Sequence, residues 1–115
     1  MSVQGLSAGE VAQGQLDAYN AQDLDAFCRH YADDVVVADL NGTVTEQGLP
    51  ALRERYARMF VQHPQNRAKL VNRIALGNIV ADHEHVVRGP GGETFDVMAI
   101  YTIRGGKIAR VDFAK

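Results

Sequence analysis

The sequence has a single cysteine, Cys28, in 115 residues. No disulfide can form within the chain, and a reducing, intracellular compartment fits. No apolar run approaches the roughly 18 residues that a membrane-crossing helix needs. The opening MSVQGLSAGE has neither a basic n-region nor an apolar stretch, so no secretory leader is expected and the predicted location is the cytoplasm. In that setting Asn41-Gly42-Thr43, which has the form of a glycosylation acceptor, is an accidental match. There is no long basic run either. Acids and bases are mixed along a chain of formal net charge -2, which argues against nucleic acid or anionic membrane as partners.

What is present is ordinary globular material, 46% hydrophobic and 23% charged, with no repeat, linker or low-complexity segment. The length suits one domain spanning 1–115. Such a chain buries only about two-thirds of its surface on folding. A cavity in so small a core sacrifices packing, so a homodimer that covers a second face is expected.

Ser7-Ala8-Gly9-Glu10 has capping-box spacing and predicts a helix from about Ala8 to Asn20, with Val11, Ala18 and Tyr19 towards its buried side. Asp23 reads as the N-cap of a short second helix whose stripe is Leu24, Phe27, Cys28 and Tyr31, ended by Asp33-Asp34. The β-branched run Val35-Val36-Val37-Ala38-Asp39-Leu40 reads as a strand, and Asn41-Gly42 as a hairpin turn. Pro50 suits the first turn of a third helix, with Leu52, Tyr56, Met59 and Phe60 on one face, stopped by His63-Pro64. Four strands follow, Arg67–Leu76, Ile79–Arg88, Glu93–Arg104 and Lys107–Ala114. Their short glycine-containing turns require antiparallel neighbours. Helices gathered on one face of a long antiparallel sheet make an α+β fold.

Tyr31-Ala32-Asp33-Asp34, the short strand after it and Asp39 before its turn resemble the NTF2-like superfamily, and Tyr101–Ile108 resembles the end of that fold's sheet. The branch it is most similar to is the SnoaL-like and ketosteroid-isomerase-like group, over roughly Val11 to Phe113. The resemblance implies a cone-shaped, cystatin-like fold, with three helices on a curved, mostly antiparallel sheet. It also implies a deep apolar cavity for a small apolar molecule and, commonly, a homodimer. Asp39 falls where the isomerase keeps its proton-shuttling aspartate, eight residues after a tyrosine matching Tyr31, and Tyr56 falls on a pocket tyrosine of the third helix. Gln15 stands where that enzyme has the tyrosine that donates to the developing oxyanion. Ala99 stands where it has the accompanying carboxylic acid. These two departures set the chain apart from standard steroid isomerases.

The candidate catalytic residues are therefore Asp39, a carboxyl whose proton affinity rises if apolar walls surround it, and Gln15, whose amide can hold a carbonyl oxygen. Tyr31, Tyr56 and Tyr19 are expected to line the pocket, their hydroxyls orienting a ligand. Phe60 on the third helix, with Phe95, Val97 and Ala99 and then Val111 and Phe113 on the closing strands, completes the expected substrate-binding wall.

Asp82-His83-Glu84-His85 interrupts an apolar strand. Alternation puts the two histidines on one face and the two acids on the other. A two-residue loop at Gly91-Gly92 sets Arg88 opposite Phe95 and Glu84 opposite Ala99. A three-residue loop at Pro90-Gly91-Gly92 sets Val87 opposite Phe95 and His83 opposite Ala99. The inward group is thus His83 or Glu84. Two histidines at i, i+2 can begin a metal site, but no second His or Cys cluster accompanies them, so neither metal nor cofactor is expected.

Three functions follow. The first is a cofactor-independent proton-transfer enzyme of isomerase, cyclase or dehydratase type, acting on an apolar carbonyl compound with Asp39 as acid/base. The second is a non-catalytic small-molecule binding protein. The third is a protein-association module using the sheet face. An inward Asp39 favours the first, a solvent-facing one the second, and a large exposed apolar sheet face the third.

Overall fold

The computed structural model describes residues 6–115; the first half of the opening MSVQGLSAGE, on which the expectation of no secretory leader rests, lies outside the described residues. Helix α1, Ala8–Ala21, opens on the capping box: the Ser7 amide donates to Glu10 Oε1 at 2.8 Å, and the Glu10 amide donates to Ser7 Oγ at 3.1 Å. It closes at Gln22, a left-handed residue with φ 55°. Helix α2, Leu24–Cys28, is capped by Asp23, whose carboxylate accepts from the Ala26 amide at 3.1 Å. Helix α3, Leu49–Gln62, has Pro50 in its first turn, where a missing amide hydrogen costs nothing.

Strands β1 (Tyr31–Asp39), β2 (Val44–Gln47), β3 (Arg67–Leu76), β4 (Ile79–Val87), β5 (Thr94–Arg104) and β6 (Lys107–Ala114) form one sheet in the order β2-β1-β6-β5-β4-β3. Every neighbouring pair is antiparallel except β1 and β6, which are parallel. The helices pack against one face. The main core joins Val11 and Ala12 of α1, Phe27 of α2 and Leu52 of α3 to Val35, Val80, Ile108 and Val111 of the sheet. Fully burying each large apolar side chain contributes about 1.5–3 kcal/mol. This is an α+β cystatin-like architecture. No helix among the described residues is long and apolar enough to cross a membrane.

Two readings need correction. The second helix stops at Cys28, and Tyr31 already belongs to β1. The segment is captured by β6: the Ile108 amide donates to the His30 carbonyl at 2.8 Å, and Tyr31 pairs with Ile108. Tyr31 faces the core from a strand, which mimics one more step of the helical stripe. The β4–β5 loop is also longer than either expected alternative. The Arg88 amide donates to the Glu93 carbonyl at 3.0 Å, and the Gly92 amide closes onto the Gly89 carbonyl at 2.9 Å. Gly89 (φ 137°) and Gly91 (φ 73°) take the positive-φ positions of this four-residue turn. The extra length sets Val86 opposite Phe95, Glu84 opposite Val97 and Asp82 opposite Ala99.

Candidate active site

A cavity of about 190 Å³ opens between α1, α3 and the inner sheet face. Its size is informative, because a cavity of about 150 Å³ is enough to hold benzene. The enclosed part therefore fits one or two rings. Tyr19, Phe27, Tyr31 and Tyr56 form its aromatic floor, with ring centroids 4.9 Å apart for Phe27–Tyr31 and 4.6 Å for Phe27–Tyr56. Val86, Val97, Phe95 and Phe113 form the sheet wall, and Gln15 and Leu16 the α1 wall.

Gln15 is 3% exposed, and its amide is fully engaged. Its Nε2 donates to the Ala12 carbonyl at 3.1 Å and to the Tyr101 hydroxyl at 2.9 Å, while its Oε1 accepts from the Tyr31 hydroxyl at 3.1 Å. The Ala12 carbonyl can only accept, which fixes the amide nitrogen on that side. Gln15 is thus not the free donor expected from the sequence: it spends its amide on two tyrosines. Because Tyr101 accepts from Gln15, its own O–H is left to donate into the cavity it lines. Burial pushes the Tyr31 and Tyr101 phenols well above their ordinary range and Tyr56 up to about 12, so all three stay protonated donors at neutral pH.

Glu84 is the carboxyl of this cavity. Alternation along β4 turns Val80, Asp82, Glu84 and Val86 inward. Glu84 is 7% exposed, and its Oε2 has no hydrogen-bond partner among the described residues. Desolvation first, and the neighbouring Asp82 charge second, push its pKa up to about 7, with Arg73 opposing. Asp82, fully buried opposite Ala99, is held by Arg73 in a two-pronged ion pair at 2.7 and 2.9 Å. Arg73 also donates to Gln13 of α1 at 3.0 Å. A carboxyl that titrates near neutrality inside an apolar, tyrosine-lined cavity can take and return protons.

Asp39 shares a face with Val35 and Val37 and lines the mouth of the cavity, but it is exposed. The expected desolvated setting is absent, because β1 runs past the cover of the helices. His83 points outward, correcting its place among the inward candidates. The Asp96 carboxylate sits between His83 Nε2 at 2.6 Å and His85 Nδ1 at 2.7 Å. Phe60, Ala99 and Val111 pack in the core rather than on the cavity wall. Of the other expected residues, Gln15, Tyr19, Tyr31, Tyr56, Glu84, Phe95, Val97 and Phe113 do line it. Tyr101, Arg55 and Arg88 also line it and were not foreseen. Tyr101 was legible by alternation, two residues beyond Ala99 on the same face. The inward side of Arg88 follows from Glu84 in the same way.

The fold is that of a small α+β protein with a cavity between its helices and its sheet. The description of the SnoaL-like domain matches residues 12–111, and the chain belongs to that family. No curated protein gives a match. Among solved structures, an uncharacterized cystatin-fold protein from Novosphingobium aromaticivorans is 38% identical, with TM-score 0.90 over 96% of this chain and 100% of that one. A candidate polyketide cyclase from Sinorhizobium meliloti is 21% identical, with TM-score 0.79 over 95% and 100%. A candidate ketosteroid isomerase from Kribbella flavida is 16% identical, with TM-score 0.78 over 92% and 75%. The last two are similar at the level of fold.

Proposed function

We propose that this chain is a cofactor-independent proton-transfer enzyme, of isomerase, cyclase or dehydratase type, acting on a small apolar carbonyl compound. The observation that carries this reading is Glu84 at the cavity wall, a buried carboxyl whose Oε2 has no hydrogen-bond partner among the described residues and whose pKa is raised to about 7. The Glu84 carboxylate takes a proton from the carbon next to the carbonyl. The C–H electron pair moves into the carbonyl system, and the Tyr101 O–H, oriented by Gln15, hydrogen-bonds the oxygen that gains charge. The proton on Glu84 then returns to the enolate, at the same carbon in exchange or, where a C=C bond adjoins that carbon, at its far end in isomerisation, so no oxidant or second substrate is needed. Asp39 at the mouth is a secondary acid/base position.

The test is α-proton exchange of 2-tetralone in D2O, followed by proton NMR. The wild type should accelerate exchange over matched buffer, Glu84→Gln should abolish the acceleration, and Asp39→Asn should change it by less than about tenfold. No acceleration by the wild type, or a normal rate in Glu84→Gln, overturns the reading. The second reading, a non-catalytic binding protein of the same pocket, is favoured by the exposure of Asp39; binding of the ketone without exchange would select it.

A homodimer through the outer sheet face is part of the proposal, as is a cytoplasmic location compatible with a free Cys28. Ile74 and Leu76 of β3, Ile79 of β4 and Met98 of β5 are exposed apolar side chains on that face. Several charges on that face are already paired within the chain, Asp96 with its two histidines and Arg110 with Asp112. A second copy offers the same mixed surface to itself, as a two-fold contact requires. This sheet face serves the association reading as well, with a second copy as the partner.

A further inference from the structure

The mouth of the cavity carries three cations, Arg55, Arg88 and Lys115. Arg55 is neutralised by Glu46 at 2.5 Å. Among the described residues, neither Arg88 nor Lys115 forms an ion pair with a carboxylate. Arg88 is nevertheless held in place. Its Nη1 donates to Asn66 Oδ1 at 2.9 Å, and Asn66, fully buried, donates in turn to the Tyr19 hydroxyl. The Arg88 guanidinium lies 4.9 Å from the centre of the Phe95 ring, with the Lys115 ammonium 4.6 Å from the same ring. A half-buried, oriented guanidinium without a counter-charge is costly unless an anion comes to it, and its remaining N–H groups suit a planar carboxylate.

We propose that the ligand is a small cyclic carbonyl compound bearing a carboxylate, and that Arg88, assisted by Lys115, is the seat of that carboxylate. The inference rests on the reading of this cavity as the substrate site and narrows the substrate from a wholly apolar carbonyl compound to one with an apolar ring and an anionic end. Glu84 and Val86 alternate on the inner side of β4, and Arg88, one residue past the strand's end, continues the series on the cavity wall. Four residues at about 3.3 Å each set the Cα atoms of Glu84 and Arg88 about 13 Å apart. Both side chains line the cavity, so one ring substituted at opposite ends suits the space between them. The carbonyl end then meets Glu84 and Tyr101, the ring lies over Val86, Val97 and Phe95, and the anion stops at the lip. Asp39 stands on the other side of the mouth, with β6 and β5 between its strand and β4.

Calorimetric titration with matched acid and ester probes tests this without requiring turnover. The probes are 4-acetylbenzoate, 3-acetylbenzoate and 4-oxo-cyclohexanecarboxylate, each beside its methyl ester. At least one acid should bind the wild type about tenfold or more tighter than its ester, with the advantage shrinking as salt is added. Arg88→Met should remove most of the preference and Arg88→Met with Lys115→Met should bring acid and ester to parity, the ester still binding in both variants, which shows the cavity intact; Arg88→Lys should keep more of the preference than Arg88→Met. Equal affinity of every pair for the wild type, failure of all three acids to bind at millimolar concentration, or an undiminished preference in Arg88→Met overturns the proposal. So does an equal loss of acid and ester in both single variants, which marks Arg88 as structural. A carboxylate preference without α-proton exchange would leave this seat standing and remove the catalytic reading; exchange without the preference would do the reverse.

Discussion

Replacing Glu84 by glutamine should stabilise the folded protein at alkaline pH. The folded-state pKa of Glu84 lies at about 7, against an ordinary value of 4.5. Folding therefore favours the protonated form. Between pH 4.5 and 7 the native state holds a proton that the unfolded chain has released, so stability falls as pH rises through this window and levels off above it. At about 1.4 kcal/mol for each pH unit, the loss from this one group is about 3 kcal/mol. Glu84→Gln cannot ionise and escapes that loss, although its amide inherits a place with no protein partner and gives back about 1 kcal/mol or more. Urea unfolding of both proteins at pH 4.5 and 8 isolates the effect, because the carboxylates held low by their partners, such as Asp34 beside Arg104 and Asp25 beside Arg53, are common to both. The wild type should lose about 3 kcal/mol more than the variant over this interval. A difference below about 1 kcal/mol would show that Glu84 is solvated in the native state, and would remove the physical basis for its chemistry.

Tyr101→Phe removes the hydroxyl that faces the developing oxygen charge and should lower the exchange rate about 100-fold with little change in KM. An unchanged rate would assign that oxygen another donor. For assembly, light scattering of the wild type at micromolar concentration should give twice the chain mass, and Leu76→Glu should give the single chain with unchanged far-ultraviolet dichroism. A wild type that is already monomeric, or a variant that stays dimeric, would move the contact off the outer sheet face.

Side-chain chemistry along the chain made most of the fold legible. Ser7 and Glu10 cap each other, Asp23 caps α2, and each glycine turn falls where a strand ends, because these are local matters of hydrogen bonding and backbone reach. Sidedness was legible too: Val35, Val37 and Asp39 share a face, as do Phe95, Val97, Ala99 and Tyr101. Depth was not. Whether a residue on the inner face meets core, cavity or water depends on which helix lies above it. Hence Ala99 and Val111 are sealed in core while Asp39, on the same side of the sheet, stands in solvent. The turn at 89–92 posed the other limit. Gly-Pro-Gly-Gly can close with several loop lengths, and the choice is made by the Arg88–Glu93 backbone pair.

That choice of register has a chemical consequence. With Asp82 opposite Ala99, the carboxyl nearest the place of the isomerase's carboxylic acid is locked to Arg73 and cannot serve as a free acid. The next inward position along β4 is Glu84, opposite Val97, and there the carboxyl's Oε2 has no partner among the described residues. The tyrosine missing from position 15 is offset in the same manner, since Gln15 turns its amide onto Tyr101 and leaves that phenol as the donor. An acid and a phenol are thus both present, each carried by a neighbour of the position at which the resemblance places it. Under the proposed function the two departures at Gln15 and Ala99 are linked. Ala99 lies two residues before Tyr101 on the same face of β5, and its small side chain leaves room there for the phenol that Gln15 orients. Enlarging Ala99 to leucine should therefore lower exchange activity through Tyr101, even though Ala99 itself touches no ligand.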